Sequence, residues 1–292
     1  QPCVQIVDEK SGKLLVDGIP VTVLREQRNP LNIPWRQYGV DVVVDCSGSF
    51  KDPTVPADDK KGSIRGHLNG GAKMVIHSAP FKIKNKSLKM PEDATTLIYG
   101  INHTAFNPKK HLLVSAASCT TTGLAHMVKP LLENEETSVI LTASMSTIHA
   151  VTNSQTVLDK LPKAGEKDIR KTRSILNNII LTSTGAAKAL AEVIPEVKNI
   201  GFMGDSIRVP TNTLSLIVLN ATFQAREEAS GAAASIDTKK LNAIYEKASQ
   251  DNPLVRFTMQ QNVSTDLIGE DAAVVIEGQF NHTRTAFIPV DL

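Results

Sequence analysis

Cys119 stands in Ser118-Cys119-Thr120-Thr121-Thr122, between a short apolar run and a segment with helical periodicity. A thiol in the first turn of a helix sits at the positive end of the aligned peptide dipoles, which favours the thiolate. A thiolate is a strong nucleophile towards carbonyl carbon. The competing role for such a residue is that of a small buried apolar side chain. His149 closes the β-rich stretch Ser146-Thr147-Ile148-His149. An imidazole beside a thiol completes a nucleophile–base pair, but sequence separation alone does not bring the two together, and the chain has 7 histidines. Arg208 lies between Ile207 and Val209, an unusual setting for a merely solvated charge. Its planar fork suits phosphate or carboxylate, and equally a salt bridge at an edge. Thr182-Ser183-Thr184-Gly185 precedes an alanine-rich segment. It offers hydroxyls and free N–H groups to an anion, or a plain helix cap.

The elements that must position these residues can be read from the pattern. Lys13–Val16 and Ile19–Leu24 flank Asp17-Gly18, a hairpin signal. Val40–Cys46 and Ala72–Ser78 are short apolar runs of the kind found in buried parallel strands, and Leu97–Gly100 and Leu112–Ser115 predict two more. Residues 53–69 read as an exposed helix or loop. A helix is predicted from Cys119 or just after it, with Thr120, Thr121 or Thr122 as cap and Pro130 ending or kinking it. Residues 137–151 and 213–224 read as strands, 159–172 as a long charged loop, 186–192 and 234–249 as helices. The fold class is therefore α/β: a partial Rossmann-like parallel sheet over 1–118, the remainder of a dinucleotide-binding domain, then an α+β catalytic domain over 119–292 with a mixed or antiparallel sheet.

Composition narrows the partners. The 292 residues carry 32 basic and 30 acidic side chains, a net charge of +2, too balanced to argue for nucleic acid or an anionic membrane. Aromatics are only 4%, which disfavours base-stacking platforms. No apolar run approaches the length of a membrane-spanning helix. Cys3, Cys46 and Cys119 are too few and too far apart for a disulfide framework, which points to a reducing, cytoplasmic compartment. The sequons at Asn85 and Asn281 are short and common by chance. No metal-ligand spacing is present, and no G-x-G-x-x-G.

Taken in order, Ser118-Cys119-Thr120-Thr121, Ile148-His149-Ala150-Val151-Thr152-Asn153-Ser154-Gln155, Ser183-Thr184-Gly185-Ala186-Ala187-Lys188-Ala189, Val193-Ile194-Pro195-Glu196 and Arg208-Val209-Pro210-Thr211 closely resemble the phosphorylating glyceraldehyde-3-phosphate dehydrogenase family. Upstream, Gly39–Gly48 and Gly71–Ile76 resemble later strands of that family's cofactor domain. The likeness runs from about residue 10 to about 275, and five motifs in order carry far more weight than any one of them.

The resemblance implies Cys119 as nucleophile and His149 as its base. It implies Thr152 and Arg208 around the substrate phosphate, and Ser118, Thr184 and Gly185 around inorganic phosphate. Arg173 falls near that second anion, and Thr120 belongs to the same substrate- and phosphate-binding set. Ser47, Gly48 and Ser78 fall on turns lining the cofactor, NAD or NADP, the residues that choose between the two being expected outside the chain. The expected substrates are a phosphorylated aldehyde and inorganic phosphate. The expected assembly is a homotetramer, in which 159–172 borders a neighbouring subunit's cofactor site. A relative acting on another phospho-aldehyde such as erythrose 4-phosphate, or a non-catalytic family member with a binding role, are the alternatives. The family's asparagines are replaced by Ala116 and Thr122. Its glycine-rich turn would precede residue 1 and its nicotinamide-binding asparagine would follow residue 292, so the chain is read as part of a longer dehydrogenase.

Overall fold

The computed structural model describes residues 3–225 and 234–284. They form two compact units: residues up to 95 together with 106–116, and residues 96–105 together with those from 117 on.

The first unit opens with an antiparallel meander of β1 (Val4–Asp8), β2 (Lys13–Val16) and β3 (Ile19–Thr22). Val16 pairs with Ile19, and Asp17 and Gly18 take φ of 50° and 80°. Two successive left-handed residues are what a two-residue type I′ hairpin needs. There follow β4 (Val42–Asp45), α1 (Arg65–Asn69), β5 (Met74–His77), β6 (Ala94–Thr96) and β7 (Leu113–Ser115), forming a sheet in the order β4-β5-β7-β6. β4 with β5, and β5 with β7, run parallel. Val43, Val75, Leu113 and Ile64 fill its core. β4 forms one edge of the sheet, with Val42 and Val44 exposed.

Two expectations need correction in this region. Leu97–Gly100 is not a strand; β6 ends just before it. Asn102 draws the chain into a turn there, accepting from the Ile98 N–H and donating to the Thr96 carbonyl. Residues 53–69 are not simply exposed: Ser63, Ile64, Gly66 and His67 are buried, and only Arg65–Asn69 is helical.

The second unit contains α2 (Cys119–Glu133), β8 (Ile140–His149), β9 (Ile180–Ser183), α3 (Ala186–Val193), β10 (Gly201–Arg208), β11 (Ser215–Phe223), α4 (Thr238–Asp251), β12 (Val255–Thr258) and β13 (Val274–Glu277). Its main sheet has the order β11-β8-β10-β9. β8 and β10 are parallel, and both outer pairs are antiparallel. With its helices, this mixed sheet makes the second unit α/β in class. Leu124, Ala125 and Val128 of α2 and Ala186, Leu190 and Val193 of α3 share a core with Ala143 and Met145 of β8. A smaller cluster joins Leu131 of α2 to Tyr245 of α4, Val255 of β12 and Ile276 of β13.

The cap of α2 is Ser118, whose Oγ accepts from the Thr121 N–H, rather than one of the threonines. Pro130 does not end the helix, which runs on to Glu133. The last helix begins at Thr238, not 234, because Asp237 caps it through the Lys240 N–H. Among the described residues no helix is long and apolar enough to cross a membrane.

Leu124 is fully buried between α2 and the sheet. Leu124→Ala should therefore cost about 2–5 kcal/mol of stability, read as a lowered denaturant midpoint with an unchanged slope. A loss well under 1 kcal/mol would mean that this face is not tightly packed.

Candidate active site

The parallel register of β8 and β10 sets Arg208 directly opposite His149. Side chains alternate along a strand, so His149 shares a face with Ala143, Met145 and Thr147, the face that α2 and α3 cover. The imidazole thus meets the start of α2, and His149 Nε2 lies 3.3 Å from Cys119 Sγ. All three cysteines are free and exposed, so Cys119 is not a buried apolar filler. Exposure does not single it out; the imidazole does.

His149 Nδ1 lies 2.7 Å from the Ala150 carbonyl. In the tautomer with its proton on Nδ1, donated to that oxygen, Nε2 presents its lone pair to the thiol; in the other, Nδ1 accepts from Arg208 Nη1 and Nε2 donates to sulfur. Arg208 Nη1 donates to the same carbonyl at 2.9 Å and also abuts His149 Nδ1. Burial pushes the imidazole's pKa down, the Ala150 contact opposes this, and the Arg208 charge lowers it further. The ring is therefore neutral at pH 7 and able to take a proton. Burial also lowers Arg208, against the pull of Cys119, but a guanidinium stays charged at neutral pH. Arg208 Nε is buried without a hydrogen-bond partner. An unpaired donor on a charged group is a ready contact for an anion.

The other expected residues fall into three sets. Thr152 lies on a loop laced to the one following Arg208: Val151 N–H donates to the Thr211 carbonyl, and Val209 N–H to that of His149. Its hydroxyl bonds the Ser154 and Gln155 side chains. Thr184 follows β9 on the same sheet face as Arg208 and His149, beside Gly204. At about 3.3 Å per residue it lies roughly 13 Å along β10 from Arg208. Its Oγ1 accepts from the Ala186 N–H, and Gly185 caps α3. Ser118 turns its hydroxyl into the first turn of α2, to Thr121. Thr120 Oγ1 is 4.0 Å from Cys119 Sγ. Arg173 is not drawn into this group; its exposed guanidinium pairs with Asp159 at 3.4 Å.

Ser47 and Gly48 follow β4, and Ser78 follows β5. Both turns lie at the carboxyl ends of neighbouring parallel strands, where open α/β sheets bind ligands. Gly48 has φ of 64° and nothing within 4 Å of where a Cβ would project. An open backbone turn flanked by hydroxyls fits a dinucleotide. Among the described residues no group of three or more His, Cys, Asp or Glu could hold a metal ion.

Two contributors escape a reading of sequence. The Ala150 carbonyl is backbone and leaves no sequence signal. Asp45 accepts from the Ser47 N–H at 2.8 Å and so shapes the Ser47–Gly48 turn; its sequence signal is a carboxylate ending an apolar run directly before Cys46-Ser47-Gly48.

A parallel sheet with open turns at its strand ends, and a thiol–imidazole pair beside a half-buried arginine, are an arrangement suited to a dehydrogenase. Residues 118–287 match the family model described as glyceraldehyde 3-phosphate dehydrogenase, C-terminal domain, and residues 3–53 match the NAD binding domain of the same family. The chain is 36% identical over 274 residues to a glyceraldehyde-3-phosphate dehydrogenase of Streptomyces coelicolor, covering 93% of this chain and 71% of that one. It is 39% identical to the enzyme of Lactarius deterrimus, covering 93% and 82%, and 34% identical to that of Geobacillus stearothermophilus, covering 94% and 74%. The chain belongs to the glyceraldehyde-3-phosphate dehydrogenase family.

Iodoacetamide should label Cys119 before Cys3 and Cys46, and His149→Asn should slow that labelling severalfold at pH 7. Arg208→Ala removes a charge that depresses His149, so the imidazole's titration midpoint, read by NMR, should rise. Faster labelling of Cys3 or Cys46, or a midpoint that stays or falls, would break the assignment.

Proposed function

We propose that the protein oxidises and phosphorylates glyceraldehyde 3-phosphate, with NAD and inorganic phosphate, through a thioester on Cys119. The 3.3 Å contact between Cys119 Sγ and His149 Nε2 carries this reading. The thiol's sulfur bonds to the aldehyde carbon and its proton passes to His149 Nε2, giving a thiohemiacetal. NAD, when bound, supplies the hydride acceptor, and Ser47, Gly48 and Ser78 are the residues to hold it. His149 returns the thiol's proton to the oxyanion formed, regenerating neutral imidazole, and takes it up again from the hydroxyl as the carbon becomes a thioester carbonyl. Phosphate oxygen attacks that carbonyl, the C–S bond breaks, and the acyl phosphate leaves the thiolate behind.

Arg208 and Thr152 suit the phosphate carried by the substrate, since Arg208 Nε is an unpaired buried donor. Thr184, Gly185, Ser118 and Thr120 suit the attacking phosphate, with N–H groups at the starts of α2 and α3 beside them. Arg173 would join them only by leaving Asp159. Residues 1–118 serve the cofactor and 119–292 the chemistry. NADP and other phospho-aldehydes such as erythrose 4-phosphate remain the alternatives for substrate profiling.

The chain also suits self-assembly into a homotetramer. Leu181, Met203, Leu216 and Val218 are all exposed on the face of the mixed sheet away from α2 and α3. Exposed large apolar side chains on one sheet face, with Ser144, Ser146 and Asp205 among them, suit burial against another subunit.

Arg208→Ala should raise KM for the phosphorylated aldehyde by the roughly 10- to 150-fold that corresponds to 1.5–3 kcal/mol, and change KM for a non-phosphorylated aldehyde far less. His149→Asn should lower kcat by about 10²–10⁴ and change KM little. Adding it to Cys119→Ser should cost little more. An unchanged KM in Arg208→Ala would remove Arg208 from the substrate site.

A further inference from the structure

The carboxyl ends of β4 and β5 hide a polar cluster that the chemistry above does not use. Asp45 and His77 are rung partners across the parallel pair. The Asp45 side chain is 3% exposed and that of His77 is 0% exposed. Asp45 Oδ1 accepts from the Ser47 N–H at 2.8 Å, while Oδ2 faces His77 Nδ1 at 3.4 Å, a contact short of full hydrogen-bond geometry between two buried atoms that have no other partner among the described residues. The Asp45 carbonyl also accepts from the Ser78 N–H at 3.0 Å. One residue thus anchors both turns assigned to the cofactor.

We propose that His77 is a positioning residue for the dinucleotide: by donating to Asp45 it keeps that carboxylate charged and aimed at the Ser47 N–H, and so holds the Ser47–Gly48 turn open. The proposal rests on the reading that this turn carries the cofactor.

The surroundings leave Asp45 few other helpers. From α1, His67 Nε2 is 3.9 Å from Asp45 Oδ2, beyond a hydrogen bond. Its Nδ1 accepts from Trp35 Nε1–H at 3.0 Å, which fixes the neutral ring with its proton on Nε2. From β7 the rung partner of His77 is Ser115, which is uncharged. Phe81 stacks on the His77 ring at 6.0 Å and 6° and holds its plane. Burial alone would push the Asp45 carboxyl up; the close approach of His77 and the hydrogen bond from the Ser47 N–H outweigh it and hold it at about 2. Without the His77 donor, burial would dominate and the carboxyl would titrate at higher pH. A protonated Asp45 is a weaker acceptor for the Ser47 N–H, and the turn would lose its anchor.

His77→Leu removes the donor, and His77→Asn keeps an N–H near the place of Nδ1. Two readouts on the full-length protein separate the possibilities. The first is the Ser47 amide resonance against pH without ligand, followed between pH 4 and 8. The second is NAD affinity by calorimetry, with KM and kcat. In His77→Leu the Ser47 amide should acquire a titration step above pH 4 that the wild type and His77→Asn lack. NAD binding should weaken on the order of tenfold, with kcat and the aldehyde KM within about twofold, and His77→Asn should restore it. A Ser47 amide that does not respond overturns the positioning role while leaving the cofactor turn intact. A titrating amide with unchanged NAD affinity overturns the proposal through the cofactor reading itself. Equal losses in every kinetic parameter for both variants would make His77 a purely structural residue, against the proposal.

Discussion

The parallel pairing of β8 with β10 determines where the chemistry can occur. Its register sets Arg208 opposite His149 and turns both towards the face that α2 and α3 cover. A shift of one residue would carry both side chains to the other face. Antiparallel neighbours on either side, β11 and β9, lock the register further. The helix start that carries Cys119 then needs only the packing of Leu124, Ala125 and Val128 to bring sulfur to Nε2.

Three kinds of electrostatic arrangement meet within this frame. Burial and the Arg208 charge keep the imidazole neutral, so it can act as a base without first losing a proton. The Ala150 carbonyl serves both His149 and Arg208, orienting the ring and the guanidinium together. Arg208 is left with an unpaired buried Nε, an arrangement costly in a resting protein and relieved by an anion. In the first unit, Asp45 plays the corresponding role at the strand ends, joining the Ser47 and Ser78 turns through its side chain and its backbone.

Much of this was legible in the sequence, and the reasons for the rest are specific. The Asp17-Gly18 hairpin and the strands at 42–45, 74–77 and 113–115 announce themselves through turn chemistry and short β-branched runs, which are local signals. Leu97–Gly100 misleads because its apolar run is bent by the side chain of Asn102, a tertiary capture that no periodicity encodes. Pro130 misleads because packing on the sheet and on Tyr245 outweighs the one backbone bond a proline removes. The thiol and the imidazole were visible as residue types in recognisable motifs, but their contact depends on a strand register set by residues far from either. Arg173 was named by motif alone, and its pairing with Asp159 depends on a fold of the charged loop that composition does not specify.

On the proposed reading, Cys119, activated by His149, carries the acyl group. Thioester phosphorolysis is reversible, so an acyl phosphate should acylate the thiol directly, with no hydride transfer required. The decisive measurement is peptide mass mapping after brief exposure to acetyl phosphate at pH 7. Acetyl is expected on Cys119 and not on Cys3 or Cys46, with a much slower reaction in His149→Asn and release by added inorganic phosphate. Acetylation at all three cysteines at similar rates, or at Cys119 with no dependence on His149, would contradict that reading.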